Sequence, residues 1–390
     1  MCNIQIIFLN MNRLIYVDAF SHNTTHETFN ASSLKMFSEI YDGIDYYATC
    51  SSQRCVEKIL GVFPANIRRH SIFLSPRMKG SLGIFIEGIV SNLWALLMLL
   101  RAPYHSTLFY NANPLWTMSR INRIARYRKI KVVIMCHGEL GFLMSGTRLN
   151  KLSQKALNLF LSEKFAIANN LYFCVASKAI LNNVKKVFAQ QVADKFISFE
   201  HTFIPQKVTT EKAIINSKFK IGTVGTLFNI SEKIKQILKL GEALKSRPDI
   251  EFYTLGRVIC DTALLDKSGV KYIPSTETKH IPKEELNRYI DSMDCLVFMY
   301  PMDMYRFTAS GALCDALDRE KIILSLHNDY FDEIFSRVNI GKQFDTMDEL
   351  IQFICTFDKS TLKDLDFKEC KRLLSPEYEA TQCRTTFLNL

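Results

Sequence analysis

Apolar residues along the chain fall into two alternating patterns. Short runs rich in β-branched and aromatic side chains occupy residues 107–110, 171–175, 250–255 and 295–299. They read as strands, and 295–299 in particular has the length and the β-branched or aromatic content of a strand buried in a parallel sheet. Between such runs lie segments whose apolar positions recur at helical spacing: 28–40, 83–100, 114–128, 230–244 and 283–291. Further strands are expected at 14–17, 45–49, 70–74, 131–136, 196–199, 270–273 and 322–324. From 322 onward the chain reads as one strand followed by helices. Strands separated by helices imply right-handed crossovers and a doubly wound parallel sheet.

The series breaks once. Residues 203–217 hold Pro205 with several Thr and Lys and no periodicity, which marks a linker. The expected organisation is a first αβ domain over 1–205, a linker over 206–217, a second αβ domain over 218–375, and a helix over 376–390 that crosses back onto the first. The fold class is therefore α/β, with two Rossmann-like domains facing across a cleft.

The segment that follows strand 295–299 organises the functional reading. It ends in Ala309, Ser310, Gly311 and Ala312, small residues at a helix start, where free N–H groups and the positive end of the helix suit a phosphate. Asp315 follows one turn later, placed to accept hydrogen bonds from sugar hydroxyls. On this stretch alone a plain strand-to-helix connection, with Ser310 capping and Gly311 packing, explains the same residues.

Composition narrows the classes. The 390 residues are 48% hydrophobic and 23% charged, which fits globular structure throughout. A net charge of +10 favours an anionic partner. The Lys and Arg are spread over helices, without aromatic interleaving or a recognition motif, so nucleic acid is not expected. Eleven cysteines without a CxxC pair read as reduced thiols of a cytoplasmic protein. Residues 1–9 lack a basic start and a cleavage site, so no secretory leader is expected. The longest apolar stretch, 89–100, falls short of a span and reads as a core helix, with shallow contact at an anionic membrane surface as the alternative.

In its second half the chain resembles the donor-binding domain of GT-B glycosyltransferases, in particular the large group typified by family 4. Residues 221–225 supply a Gly-rich strand end, and Lys233 lies where that family places a diphosphate-binding Lys. Gly225 belongs to the same turn. Thr226 stands at the position of a family Arg, and Lys235 and Arg257 are candidate substitutes. The family's paired glutamates, eight residues apart, fall here on Phe307 and Asp315. The resemblance implies that Asp315 binds the ribose and that the amides of Ser310, Gly311 and Ala312 hold the diphosphate. Asp303, Tyr305 or Arg306 would then reach the donor sugar, and the base would stack near Lys271, Tyr272 and Pro274.

In the first half, His137 and Gly138 follow a strand, as does a His-Gly pair near the reacting sugar in such enzymes. Glu139 is their neighbour, available to orient the His or to hold acceptor hydroxyls. His22 and His26 are four apart in a polar loop without a third ligand, which reads as an acceptor loop better than a metal site. His201 leads into the linker. The resemblance implies transfer of a sugar from a UDP- or GDP-linked donor to a glycan or lipid-linked acceptor in surface polysaccharide or glycoconjugate synthesis. It further implies retention of configuration. With no DxD pair in a suitable place, no metal or other cofactor is expected. A nucleotide-sugar epimerase and a non-catalytic partner protein on the same architecture remain as rivals.

Overall fold

The computed structural model describes residues 12–74, 81–143, 151–206, 218–228, 232–273, 281–300, 305–357 and 362–390. Its contacts divide the chain into two compact units. One comprises Met1–Ile204, Phe307–Ala309 and Leu373–Leu390; the other Pro205–Arg306 and Ser310–Arg372.

The first unit is built on seven strands: β1 (Arg13–Val17), β2 (Gly43–Ala48), β3 (Ile67–Ser71), β4 (Thr107–Tyr110), β5 (Lys131–Met135), β6 (Leu171–Val175) and β7 (Phe196–Ser198). Their order is β3-β2-β1-β4-β5-β6-β7 and every pairing is parallel. The order reverses between β1 and β4, which makes the carboxyl ends of those strands the place where a doubly wound sheet binds ligands. β3 begins three residues before the apolar cue in the sequence. At the sheet edge Arg68 and Arg69 remain exposed, and the apolar residues Ile72 to Leu74 follow the strand instead of forming it.

Thr49 and Ser177 start their helices by accepting from Ser52 and Ile180 backbone N–H groups, each satisfying a donor that the first turn leaves open. The C-terminal helix Pro376–Leu388 belongs to this unit and packs on helix Glu27–Ile40. Phe37 and Phe387 meet edge to face at 5.0 Å, and the Glu379 carboxylate accepts the buried Glu200 N–H at 3.0 Å. Phe37 also touches Tyr16, Phe109 and Phe199, so truncating it to Ala removes the centre of an aromatic cluster at about 4 kcal/mol.

Helix Ser81–Arg101 departs from its reading as a core helix. Ser91, Asn92, Ala95, Met98 and Leu99 face inward, whereas Leu82, Phe85, Ile89, Leu93 and Leu100 are exposed. Among the described residues no helix is long and apolar enough to cross a membrane.

The second unit carries β8 (Phe219–Val224), β10 (Ile250–Leu255), β12 (Lys271–Tyr272), β13 (Cys295–Phe298), β14 (Ile322–Leu326) and β15 (Gly341–Phe344) in the order β12-β10-β8-β13-β14-β15, again all parallel. A two-residue pair, β9 (Leu227–Phe228) and β11 (Val258–Ile259), sits beyond the ends of β8 and β10. β15 corrects the reading of the region after β14 as wholly helical. Only Gly341 fits there, since a Cβ would lie 1.8 Å from the Ile323 carbonyl oxygen. Gly222 is closely packed for a different reason: a Cβ there would crowd the side chains of Leu296, Leu255 and Met293 at 2.9 to 3.0 Å. Phe307–Ala309, read from the sequence as part of the second domain, cluster with the first unit.

Candidate functional site

In the first unit the carboxyl ends of β1, β4 and β5 bring together residues distant in sequence. Asp18, one residue past β1, is fully buried and accepts from Asn30 Nδ2 at 2.8 Å, Ser52 Oγ at 3.0 Å and Asn111 Nδ2 at 3.4 Å. Burial raises its pKa, and the donors around it pull the other way. Tyr16 joins the same network, its hydroxyl 2.9 Å from Asn30 Oδ1 and from Ser33 Oγ.

His137 follows β5. Its Nε2 lies 2.7 Å from the Asn111 carbonyl oxygen, an atom that only accepts, so Nε2 carries the proton and Nδ1 is the ring's acceptor. The His26 ring stacks on it at 4.3 Å, and Phe29 meets it edge-on at 4.7 Å. Burial, with the neighbouring His26 and His201 rings, holds the His137 pKa well below the usual imidazole range, so the ring is neutral near pH 7. His26 reaches this place because it occupies the left-handed region, φ 57°, at the start of helix Glu27–Ile40.

Glu139 does not orient the His137 ring. Its Oε2 accepts the His137 backbone N–H at 2.9 Å and so fixes the loop, and burial raises its pKa. Thr308 lies beside Gly138, its Oγ1 3.5 Å from where a Cβ would stand, an ordinary contact distance. His22 is not paired with His26: its Nε2 faces Glu87 of helix Ser81–Arg101 at 3.2 Å. Among the described residues no group of three or more His, Cys, Asp or Glu could hold a metal ion.

In the second unit β8 ends at Val224, and Gly225 turns the chain at φ 119°. Gly256 approaches it so closely that a Cβ would lie 2.5 Å from the Gly225 carbonyl oxygen. Lys233, in the first turn of helix Glu232–Leu244, runs back beneath this turn. Its side chain is buried, its Nζ donates to the Val224 carbonyl at 3.0 Å, and a Cβ on Gly225 would lie 3.1 Å from that Nζ. Among the described residues the ammonium is paired with no carboxylate. Burial lowers its pKa to about 8.

Thr226 connects Gly225 to β9, and Arg257 sits on the Gly256 turn with its carbonyl accepting the Leu227 N–H at 2.9 Å. Lys235 points elsewhere, exposed and paired with Glu232 at 3.1 Å. Helix Gly311–Asp318 starts at Ser310, whose hydroxyl accepts the Leu313 N–H at 3.3 Å. Its side chain is therefore a cap, and it is buried. Gly311 faces open space, and its N–H and that of Ala312 make no hydrogen bond among the described residues. Asp315, one turn on, is held by Lys283 at 2.6 Å, the first residue of helix Lys283–Asp291.

Packing accounts for two further positions. Phe307 is buried and stacks on Phe188 at 5.7 Å, so the position of the family's first glutamate is part of the first unit's core. Tyr272, expected beside the base, packs against the second unit's core from edge strand β12. Lys271 is paired with Glu251 at 2.6 Å. Arg306 is partly buried on the bend before Phe307, and Tyr305, at φ 64°, lies 4.3 Å from Tyr300. Asp303 and Pro274 fall outside the described residues. Sequence reasoning missed Asp18, Asn30, Asn111 and Lys283; the one local signal for the first of these was a lone Asp at the end of an apolar strand.

No family model and no curated protein matches the chain. Solved structures do. HepE of Anabaena, in complex with UDP and glucose, aligns over 97% of this chain and 99% of its own with a TM-score of 0.59 at 13% identity. TarM aligns over 97% and 98% with a TM-score of 0.61 at 9% identity. The pneumococcal O-GlcNAc transferase GtfA, in complex with UDP and GlcNAc, aligns over 97% and 99% with a TM-score of 0.56 at 8% identity. The likeness spans both sheets and their crossover helices, and the chain has the GT-B fold that its sequence resemblance implied.

Proposed function

We propose that the protein is a glycosyltransferase that takes a sugar from a nucleoside diphosphate sugar and passes it to a glycan or lipid-linked acceptor. One observation carries the reading. Among the described residues Lys233 buries its ammonium at the Gly-rich end of β8 with the Val224 carbonyl at 3.0 Å and the Tyr300 ring at 5.9 Å as partners, and with no carboxylate. A buried cation without an anion is costly, and the cost is recovered only when an anion arrives. A diphosphate supplies that anion, and the amides of Gly311 and Ala312 are further donors for it. As the glycosidic bond to the donor breaks, negative charge grows on the departing diphosphate, which is the charge an ammonium and a helix start stabilise.

The remaining assignments belong to the same proposal. Asp315 takes the ribose hydroxyls, with Arg257, Thr226 and Gly225 beside the phosphates, and Arg306 and Asp303 toward the sugar. In the first unit His137 offers its Nδ1 as acceptor to a sugar hydroxyl, with His26 and Gly138 beside it. Retention of configuration, chemistry without a metal, and a role in polysaccharide or glycoconjugate synthesis follow from the resemblance. UDP is the donor nucleotide to try first, because HepE and GtfA were crystallised with it. Thermal denaturation with UDP and GDP tests the reading: at a hundred times its dissociation constant the correct nucleotide adds about 2.7 kcal/mol of stability. No shift with either nucleotide overturns it, and leaves a GT-B chain that works without a donor.

A further inference from the structure

Among the described residues the outer face of helix Ser81–Arg101 carries the longest run of exposed large apolar side chains. Leu82, Phe85, Ile89, Leu93 and Leu100 follow one another at spacings of a helical stripe, and the first, fourth and fifth are 64%, 59% and 56% exposed. The stripe is about 27 Å long at the rise of an α-helix. The helix has only two charged residues, Glu87, which faces the His22 ring at 3.2 Å, and Arg101 at its last position. Phe73 extends the apolar surface: its carbonyl accepts from the Trp94 indole at 2.7 Å, and its ring is exposed.

At the C-terminal end the surface changes character. Tyr104 is exposed, and the Arg128 guanidinium lies 4.8 Å over its ring. Beyond it opens a groove of about 840 Å³, formed at the amino ends of β4, β5 and β6 and lined by His105, Arg126, Arg128, Lys129 and Lys131 with no acidic residue. Arg126, Arg128 and Lys131 each bond a backbone carbonyl, of Ala166, Ala102 and Leu388. Carbonyls orient these cations without cancelling their charge.

We infer that this face docks on an anionic phospholipid bilayer, the apolar stripe entering the acyl boundary and the groove's cations meeting headgroup phosphates. A helix lying in the interface with an apolar face and basic flanks has this form. A second copy of the chain fits less well. A twofold contact along the stripe would cover the apolar residues but offer the groove's cations no anionic partner, in a chain that already carries +10. The inference does not depend on nucleotide binding, since none of these residues belongs to the candidate site.

Co-sedimentation of the full chain with vesicles tests it. The vesicles are phosphatidylcholine alone, or phosphatidylcholine in which about a third of the lipid is phosphatidylglycerol. The wild-type protein should pellet with the second and not the first, and salt should release it. Leu93→Glu with Leu100→Glu, and separately Arg101→Glu with Lys129→Glu, should each weaken partitioning by about tenfold. All four positions are exposed, so the thermal midpoint and any UDP-induced shift should stay as in wild type. Three results overturn the inference: wild-type protein left in the supernatant with both vesicles; Leu93→Glu with Leu100→Glu binding as wild type; or light scattering that shows a dimer which those two changes dissociate, without vesicle binding.

Discussion

Replacing Lys233 by Met separates a binding residue from a packing residue, because the two roles give opposite signs. In the unfolded chain a lysine titrates near 10.4; burial brings Lys233 to about 8. Below pH 8 both states hold the proton, and the native state bears the whole cost of a dry ammonium, about 3 kcal/mol. Between pH 8 and 10.4 the unfolded state holds more protons than the native one, so stability rises with pH through that window and the penalty disappears above it. Lys233→Met keeps the length and removes the charge. At pH 7, without nucleotide, it should therefore be more stable than wild type, by about 2 kcal/mol once the Val224 carbonyl loses its donor. Binding should move the other way. A diphosphate charge about 4 Å from the ammonium is worth about 4 kcal/mol at an effective dielectric of 20, enough to restore the ordinary lysine pKa. Wild-type protein should then bind UDP about tenfold more weakly at pH 9 than at pH 7, taking up close to one proton per nucleotide at the higher pH. Calorimetric titration in two buffers of different ionisation enthalpy reads that proton directly. The reasoning is refuted if no proton is taken up at pH 9, or if Lys233→Met binds UDP with the wild-type affinity and pH dependence.

Two further outcomes follow from the same geometry. Asp315→Ala should cost about 2 kcal/mol of UDP affinity and abolish any preference for UDP over its 2′-deoxy analogue, as measured by calorimetry, whereas unchanged affinity removes Asp315 from the ribose; Lys283→Met tests whether the ion pair at 2.6 Å holds that carboxylate in place. Because burial, His26 and His201 keep the His137 ring neutral, the native state binds fewer protons than the unfolded one just below pH 6.5, so stability should fall as the pH drops through that value, and His137→Gln should flatten the fall in urea denaturation curves.

The strands that the sequence revealed are those with a continuous apolar run. Thr107–Tyr110 and Leu171–Val175 have the bounds that the pattern predicts, because nearly every residue is buried and no charged side chain interrupts them; Ile250–Leu255 has them too, with Glu251 and Tyr253 only half-buried. The strands that escaped lie where one or both faces meet solvent. β15 carries Lys342 and Gln343 at the edge of its sheet, and β9 and β11 are two residues each, too short for any period. Helix Ser81–Arg101 shows the reverse error. Its composition is that of a core helix, and only the positions of Leu82, Leu93 and Leu100 in space reveal that an apolar stripe of it is exposed.

For the candidate site, legibility followed sequence distance. Lys233 and Gly225 are close along the chain, and a Gly-rich strand end followed by a Lys is a local pattern. Asp18 is recognised only through Asn30, Ser52 and Asn111, which come from three separate elements. The stacking of His26 on His137 likewise joins a helix start to the end of a strand on another part of the sheet. Phe307 illustrates the limit of carrying a motif over by counting. The spacing from Asp315 is that of the family, but the position is spent on packing against Phe188, so any sugar contact must come from other residues. What unites Asp18 and Lys233 is that each breaks the rule by which these cores are otherwise built. Each lies at the carboxyl end of the strand where its unit's order reverses, β1 beside β4 and β8 beside β13. Packing alone gives no reason to retain a buried carboxyl and a buried ammonium, since apolar residues of similar size would fill the same space at lower cost. Their placement at the two switch points therefore argues for ligands there, and ties the proposed chemistry to topology as well as to residue type.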